Sequence, residues 1–125
     1  MKNALIATAL VAALGLLAGC SSQGNDPLGN PAAGEQLANT KGAATGQSCI
    51  DCHGAGGNAP IDATYPKLGG QYRDYIVHAL QMYRSGDRSN ALMSQQARDL
   101  TDEQIHDLAA YFASQPTQLR DLSPH

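Results

Sequence analysis

The sequence predicts an all-α domain over residues 32–115, and three observations support this fold class. Segments near residues 32–39, 71–85 and 101–115 contain strong helix formers or apolar residues at helical spacing. The Gly, Thr and Pro residues near their ends are typical of helix boundaries. No segment alternates apolar and polar residues as a half-buried strand does. The chain has 125 residues, which is the length of one ordinary domain.

The first predicted helix covers residues 32–39, and an irregular segment is expected to follow it. Its sequence, AAGEQLAN, consists mainly of residues with a high intrinsic helix propensity. Residues 41–48 are rich in Gly, Thr and Ala and show no helical spacing of apolar side chains. The sequence therefore predicts a short helix and then a loop.

The second predicted helix covers residues 71–85 and has the clearest periodicity in the chain. Apolar and aromatic residues recur there on one face of a helix with 3.6 residues per turn: Tyr72, Tyr75, Ile76, Ala79, Leu80 and Tyr83. Gly86 stands at the position of a C-terminal cap, where the backbone needs a left-handed conformation. The segment is therefore expected to end at Ser85.

The last predicted helix begins after Thr101. Thr101 and Gln104 have the spacing of a capping box, and the acidic residues between them suit the positive end of the helix dipole. An apolar stripe follows: Ile105, Leu108, Ala109 and Phe112. Pro116 marks the end of the helix.

The composition indicates a thin protein core. The chain contains five Tyr, one Phe and no Trp, against 13 Gly. Either the domain is marginally stable, or a group that is not an amino acid fills its centre. The formal net charge is −3 and no basic cluster is present, so nucleic acid is not expected as a partner. Three cysteines are too few for a disulfide scaffold.

Residues 1–19 resemble a bacterial lipoprotein signal peptide. Lys2 gives a positive start, and the uncharged run from residue 4 to residue 17 is too short to span a bilayer comfortably. The run ends in Leu-Ala-Gly-Cys, which resembles a lipobox, so the thiol of Cys20 is expected to carry a lipid anchor. An ordinary secretory peptide with an incidental cysteine is the alternative.

The residues on either side of the domain are expected to lack a packed structure. Residues 20–31 comprise the lipidated Cys20 and a segment with almost no apolar content, which predicts a flexible tether. Residues 116–125 are predicted to form a loose tail. The protein is therefore expected to be exported and anchored in the bacterial envelope, facing the periplasm. Ser21 after the cysteine slightly favours the outer membrane, by resemblance to other lipoproteins.

The residues that carry chemistry lie at 49–53, in the order Cys-Ile-Asp-Cys-His. Cys-x-x-Cys-His is the attachment pattern of c-type haem. Cys49 and Cys52 lie three positions apart, so on a helical turn both thiols face the same way and can form thioethers to one porphyrin. His53 beside them then supplies a nitrogen ligand to the iron. One covalently bound haem c would also fill the thin core.

Two other interpretations of the same residues are weaker. A redox dithiol would be expected within a βαβ pattern, and the surrounding sequence has none. A structural zinc site needs four ligands in a tetrahedral arrangement, and no second pair of ligands follows.

Six short motifs occur in a fixed order along the chain: residues 52–54 (CHG), 56–60 (GGNAP), 65–71 (YPKLGGQ), 84–86 (RSG), 90–94 (NALMS) and 100–105 (LTDEQI). Together they resemble the small class I bacterial cytochromes c, both the single-haem c-553 kind and each half of the two-haem c4 kind. The resemblance covers residues 33–115 and implies a fold of three to four helices wrapped around one haem. The chain departs from the family between Gly34 and Cys49, where it is several residues longer.

The sixth ligand of the iron has several candidates in the mature chain: Met82, Met93, His78, His106 and His125. Class I cytochromes c use a methionine from the loop between the last two helices, which implies Met93. A thioether is a soft ligand that favours Fe(II). Met82 is the next candidate, at the edge of the apolar face of the second predicted helix, whereas His78 points away from that face.

The resemblance also implies residues that surround the cofactor. The second ring nitrogen of His53 is expected to donate to the backbone carbonyl of Pro66. The expected walls of the haem pocket are Tyr65, Leu68, Tyr72, Ile76 and Leu80. Gly34 and Leu37 are expected to meet Leu108, Tyr111 or Phe112 where the first and last helices cross.

The function implied by this resemblance is single-electron transfer in a periplasmic respiratory chain. The protein would be a carrier and not an enzyme, with redox proteins as its donor and acceptor. Two alternatives remain. One is a haem-based gas sensor or weak peroxidase with a displaceable sixth ligand. The other is an accessory haem subunit of a larger oxidoreductase complex.

Overall fold

A computed structural model describes residues 26–117 and residue 119. The predicted signal peptide, Cys20, His125 and most of the predicted tail lie outside the described residues. The described part contains five α-helices: α1 (Pro31–Asn39), α2 (Cys49–His53), α3 (Arg73–Ser85), α4 (Met93–Ala97) and α5 (Asp102–Ser114). A 3-10 turn at Ala55–Gly57 follows α2, and no strand occurs among the described residues. The predicted all-α class is confirmed.

The hydrophobic core lies where α1 and α3 pack against α5. Its buried members are Ala38, Ile76, Leu108, Ala109, Tyr111 and Phe112. Leu37 and Leu80 pack against this cluster from α1 and α3. The expected crossing of the first and last helices is therefore present, and it forms one wall of the domain.

The helix boundaries follow the capping chemistry in the sequence. The Thr101 hydroxyl accepts from the backbone N–H of Gln104 at 3.2 Å, and the Gln104 side chain accepts from the Thr101 N–H at 2.9 Å. This is the predicted capping box at the start of α5. Gly86 ends α3 with φ +89°, a left-handed conformation that costs glycine little.

Two boundaries differ from the prediction. The helix expected from Gln71 begins at Arg73, because Tyr72 is the N-cap and its ψ of 127° is not helical. The segment 86–100 was expected to be a loop, but it contains α4. A turn leads into this short helix, because the side-chain oxygen of Asn90 accepts from the N–H groups of Leu92 and Met93, each at 3.0 Å.

The described part of the predicted tether lies against the domain. The carbonyl of Pro27 accepts from the Arg73 guanidinium at 3.2 Å, and the Asn30 N–H donates to Asp107 at 2.7 Å. Gly29 lies so close to the backbone of His106 that a Cβ would overlap the carbonyl group. Residues 26–30 therefore contact α3 and α5 before α1 begins.

Gly34 allows the close approach of α1 to α5, and its replacement is the first prediction. A Cβ at this position would overlap the Asp107 carbonyl and lie 2.8 Å from the Cβ of Tyr111. We expect Gly34→Ala to lower the free energy of unfolding of the haem-loaded protein by about 1–3 kcal/mol, because the helices must separate. This loss opposes a gain of about 1 kcal/mol in helix propensity.

Denaturant titration of the purified protein measures this change. Gln36→Ala is the matched control, since Gln36 is exposed on the same helix and gives the same new residue. Stability of Gly34→Ala equal to or above that of the control would contradict the role of Gly34.

Candidate functional site

A cavity of about 520 Å³ lies beside the core, bounded by α2, α3, α4 and α5. Protein interiors normally close to a density near that of organic crystals, so an opening of this size indicates room for a group that is not protein. The volume falls in the range of cofactor and ligand sites. Both cysteines of the Cys-x-x-Cys-His motif, its histidine and Met93 line the same cavity.

The two cysteines are placed by a capped turn of helix. The Ser48 N–H donates to the Asp51 carboxylate at 2.8 Å, and the Ser48 hydroxyl accepts from the Asp51 N–H at 3.2 Å. This capping box fixes the first turn of α2. Cys49 and Cys52 lie three residues apart on that turn, and both are free thiols at the edge of the cavity.

The environment of Cys49 does not favour redox dithiol chemistry. Burial raises the pKa of the Cys49 thiol to about 11, and the neighbouring Asp51 and Cys52 add to the shift. Reactive cysteines in dithiol enzymes have a lowered pKa, because the thiolate is the nucleophile. The interpretation as a thioredoxin-like pair therefore loses support.

His53 is held with one nitrogen occupied. Its side chain is 6% exposed, and Nδ1 donates to the carbonyl oxygen of Pro66 at 2.9 Å. Burial lowers the pKa of the imidazole, while the hydrogen bond to Pro66 acts in the opposite direction. Since Nδ1 carries the donated proton, Nε2 of the neutral ring keeps its lone pair for a metal. The contact with Pro66 is the one that the family resemblance implies.

The loop after α2 brings Pro66 to this position. Gly54 has φ +78°, and a Cβ there would overlap the backbone of Ala59, so the chain folds back tightly on itself. The Ile61 N–H donates to the carbonyl of Cys52 at 3.0 Å, and the Leu68 N–H donates to the carbonyl of Gly57 at 2.8 Å. These contacts place residues 65–68 along one side of the cavity.

The expected walls of the pocket are placed as follows. Tyr65, Leu68, Ile76 and Leu80 line the cavity, and the ring centroid of Tyr65 lies 6.3 Å from that of His53. Tyr72 is not part of the lining, and its side chain is 66% exposed. As the N-cap of α3, Tyr72 does not follow the helical spacing that placed it on the apolar face.

The candidates for the sixth ligand are separated by their positions. Met93 is half-buried at the start of α4 and lines the cavity. Met82 is half-buried and His78 is exposed, both on α3, and neither lines the cavity. His106 on α5 is half-buried and also lies outside the lining.

Arg88 lines the cavity, and no pattern in the sequence indicates this position. Its guanidinium carbon lies 4.7 Å from the ring centroid of Tyr83, within the range of a cation–π interaction. A hydrogen bond with the Tyr75 hydroxyl raises the pKa of Arg88. The spacing of Tyr75 and Tyr83 on one helix face could have identified them as lining residues, but Arg88 follows the end of the helix.

The donor set and the lining fit haem c. Two thiols, one imidazole nitrogen and one thioether face a largely apolar cavity. Its described lining contains Lys67 and Arg88 and no carboxylate side chain, which suits a cofactor that carries two carboxylates. Among the described residues, no three His, Cys, Asp or Glu side chains form a group able to hold a metal ion.

No helix in the described ranges has the length and apolar character needed to cross a bilayer.

Comparison with known proteins gives consistent matches. The cytochrome c family profile matches residues 31–116. Cytochrome c4 of Thiocapsa roseopersicina is 42% identical over 89 residues, which cover 71% of this chain and 42% of that protein. Cytochrome c-554(548) of Halomonas halodenitrificans is 41% identical over 92 residues, which cover 70% of this chain and 98% of that protein.

A solved structure shows the same fold. The structure of thiosulfate dehydrogenase from Marichromatium purpuratum matches this chain with a TM-score of 0.63 and 33% identity. The match covers 78% of this chain and 22% of the dehydrogenase chain. This chain thus spans less than half of the cytochrome c4 and under a quarter of the dehydrogenase chain, but nearly all of the cytochrome c-554(548). The chain belongs to the cytochrome c family, as a class I c-type cytochrome.

Proposed function

We propose that this protein carries single electrons between redox proteins, with one haem c held in the cavity beside α2. The cofactor, haem c, supplies an iron that alternates between Fe(II) and Fe(III). The observation that carries the proposal is that both motif cysteines, His53 and Met93 line one cavity. The remaining functions of the site are those of the polypeptide: to attach, orient and shield the cofactor.

Each of the four side chains has a separate task in this proposal. Cys49 and Cys52 provide the two thioether attachments. His53, fixed by its hydrogen bond to Pro66, and Met93 would hold the iron. With His53 and Met93 both holding the iron, no position would be left for a substrate, and the protein would act as an electron carrier and not as an enzyme.

The lining of the cavity and the thioether ligand both support electron transfer. Tyr65, Leu68, Ile76 and Leu80 present a lining that limits the access of water. A soft thioether ligand and an apolar environment both favour Fe(II), which raises the reduction potential relative to two imidazole ligands.

The partners proposed for this chain are redox proteins. The alternative role, as an accessory haem subunit of a larger complex, has a specific observation in its favour. The match to part of a thiosulfate dehydrogenase chain suggests a module that serves as an accessory haem subunit. Purification as a stable assembly of fixed stoichiometry would favour that role over free diffusion.

We also propose that the protein is exported to the periplasm and anchored through Cys20. The support is the sequence of residues 1–20 and the polar segment that follows. Mass spectrometry of the mature N-terminus tests the anchor: acyl chains on Cys20 are expected, and an unmodified thiol would contradict it.

Stopped-flow kinetics test the proposed function. Reduced protein is mixed with a membrane fraction that contains terminal oxidases and reductases, and haem oxidation is followed optically. Rapid oxidation without binding of CO to the reduced haem is expected. Negligible oxidation together with rapid, stoichiometric CO binding would favour the gas sensor or peroxidase.

A further inference from the structure

The side chain of Gln96 connects α4 to the segment that precedes the haem-attachment motif. Its Nε2 donates to the hydroxyl of Thr45 at 2.7 Å and to the backbone carbonyl of Gln47 at 2.9 Å. Both amide hydrogens are thus used. These partners lie 51 and 49 residues away along the chain, so the contact is a tertiary one and not part of a local turn.

We propose that Gln96 is a positioning residue that keeps Met93 at the cavity. The inference rests on the proposed ligation by Met93 and extends it to Gln96, which also lines the cavity but is not a proposed ligand of the iron. Met93 and Gln96 stand three positions apart on α4, so they lie on the same side of this short helix.

The helix that carries Met93 depends on such tertiary contacts. With five residues, α4 is far shorter than the length at which an isolated helix is stable in water. The side chain of Ala97 is fully buried and supplies an apolar contact, and Gln96 supplies the polar one. Without the two hydrogen bonds of Gln96, α4 makes fewer contacts with the rest of the domain, and Met93 is held less firmly at the cavity.

The segment that accepts these bonds is itself well defined. The Gly42 N–H donates to the carbonyl of Gln47 at 3.0 Å, and the Gly46 N–H donates to the carbonyl of Gly42 at 2.8 Å. A Cβ on Gly42 would lie 2.8 Å from Oε1 of Gln96, so the close approach is suited to glycine. The segment leads directly into Ser48, the cap of α2.

Gln96 therefore joins the two parts of the polypeptide that would hold the cofactor. One part carries Met93, and the other leads into Cys49, Cys52 and His53. The accepting residues Thr45 and Gln47 belong to the segment between α1 and α2.

Binding of external imidazole to the ferric protein measures how readily Met93 leaves. An external ligand reaches the iron after the methionine has moved away, so its binding rate reports that opening. We expect Gln96→Ala to increase this rate by about tenfold, because two hydrogen bonds are lost. When the pH or the temperature is raised, the charge-transfer band of thioether-ligated ferric haem should be lost with a lower midpoint than in the unchanged protein.

Gln95→Ala is the matched control. Gln95 is an exposed glutamine on the same short helix, so its replacement changes helix propensity equally and leaves the contacts of Gln96 in place. Its imidazole rate should match that of the unchanged protein. Equal rates for Gln96→Ala and Gln95→Ala would overturn the inference.

Thr45→Val is a second variant for the case that Gln96→Ala does not accumulate. It removes one of the two acceptors and is expected to increase the rate by a smaller factor. An unchanged rate in Thr45→Val would then overturn the inference. Failure of the proposed ligation has a different signature, because the unchanged protein would itself lack the thioether band.

Discussion

Replacement of both Cys49 and Cys52 by alanine should give a chain without covalently bound haem. The two thiols line the cavity from one turn of α2, and no other cysteine is present among the described residues. Without the cofactor, the cavity of about 520 Å³ is left beside a core of few large side chains. We therefore expect loss of colour, loss of the added mass and a large decrease in helix content by circular dichroism.

The single variants serve as graded controls for this experiment. Cys49→Ala and Cys52→Ala each retain one thiol at the cavity, so a fraction of each chain should carry haem through one thioether. The double variant should carry none. Recovery of the double variant with a covalent haem and normal helix content would show that these cysteines are not the attachment sites.

Replacement of Met93 by alanine should remove thioether ligation and open the sixth position. The ferric charge-transfer band should disappear, and the reduced protein should bind CO rapidly and stoichiometrically. The reduction potential should fall by about 0.1–0.3 V, which is a fraction of the roughly 0.8 V range that axial ligands cover in haem proteins. Optical redox titration and CO binding measure both effects.

Met82→Ala is the matched control for the change at Met93. Met82 is the other methionine among the described residues, and it is half-buried on α3 outside the cavity lining. Its replacement should leave the thioether band and the potential nearly unchanged. Loss of the band in Met82→Ala, with its retention in Met93→Ala, would reverse the assignment.

The long helices could be predicted from sequence because their signals are local. In α5 the capping box at Thr101 and the apolar stripe depend on residues a few positions apart. In α3 the same holds for the apolar face and for Gly86. Local capping and the 3.6-residue period are sufficient to define these elements without knowledge of what they contact.

The parts that could not be predicted depend on contacts between distant residues. α4 is too short to show periodicity, and its attachment through Gln96 involves Thr45 and Gln47. The contact of residues 26–30 with α3 and α5 is of the same kind, because Gly29 and His106 are far apart in sequence. Arg88 follows the end of α3 and reaches the cavity through its contact with Tyr83.

In the candidate site, too, local sequence patterns indicated some residues, and contacts between distant residues became known only from the structure. The motif spacing alone indicated Cys49, Cys52 and His53, because attachment to one porphyrin requires them on one helical turn. Met93 was selected with the help of the family resemblance, since periodicity left several ligands open. The structure adds the common cavity, the bond between His53 and Pro66, and the exposure of Tyr72.

The covalent attachment of one haem is tested most directly by intact mass and optical spectra of the unchanged protein. The protein should be produced in cells that can mature c-type cytochromes and purified from the envelope under denaturing conditions. The account predicts a mass equal to the mature polypeptide, with any lipid, plus one haem, and a spectrum that sharpens on reduction. A colourless product with the mass of polypeptide and lipid alone would contradict it.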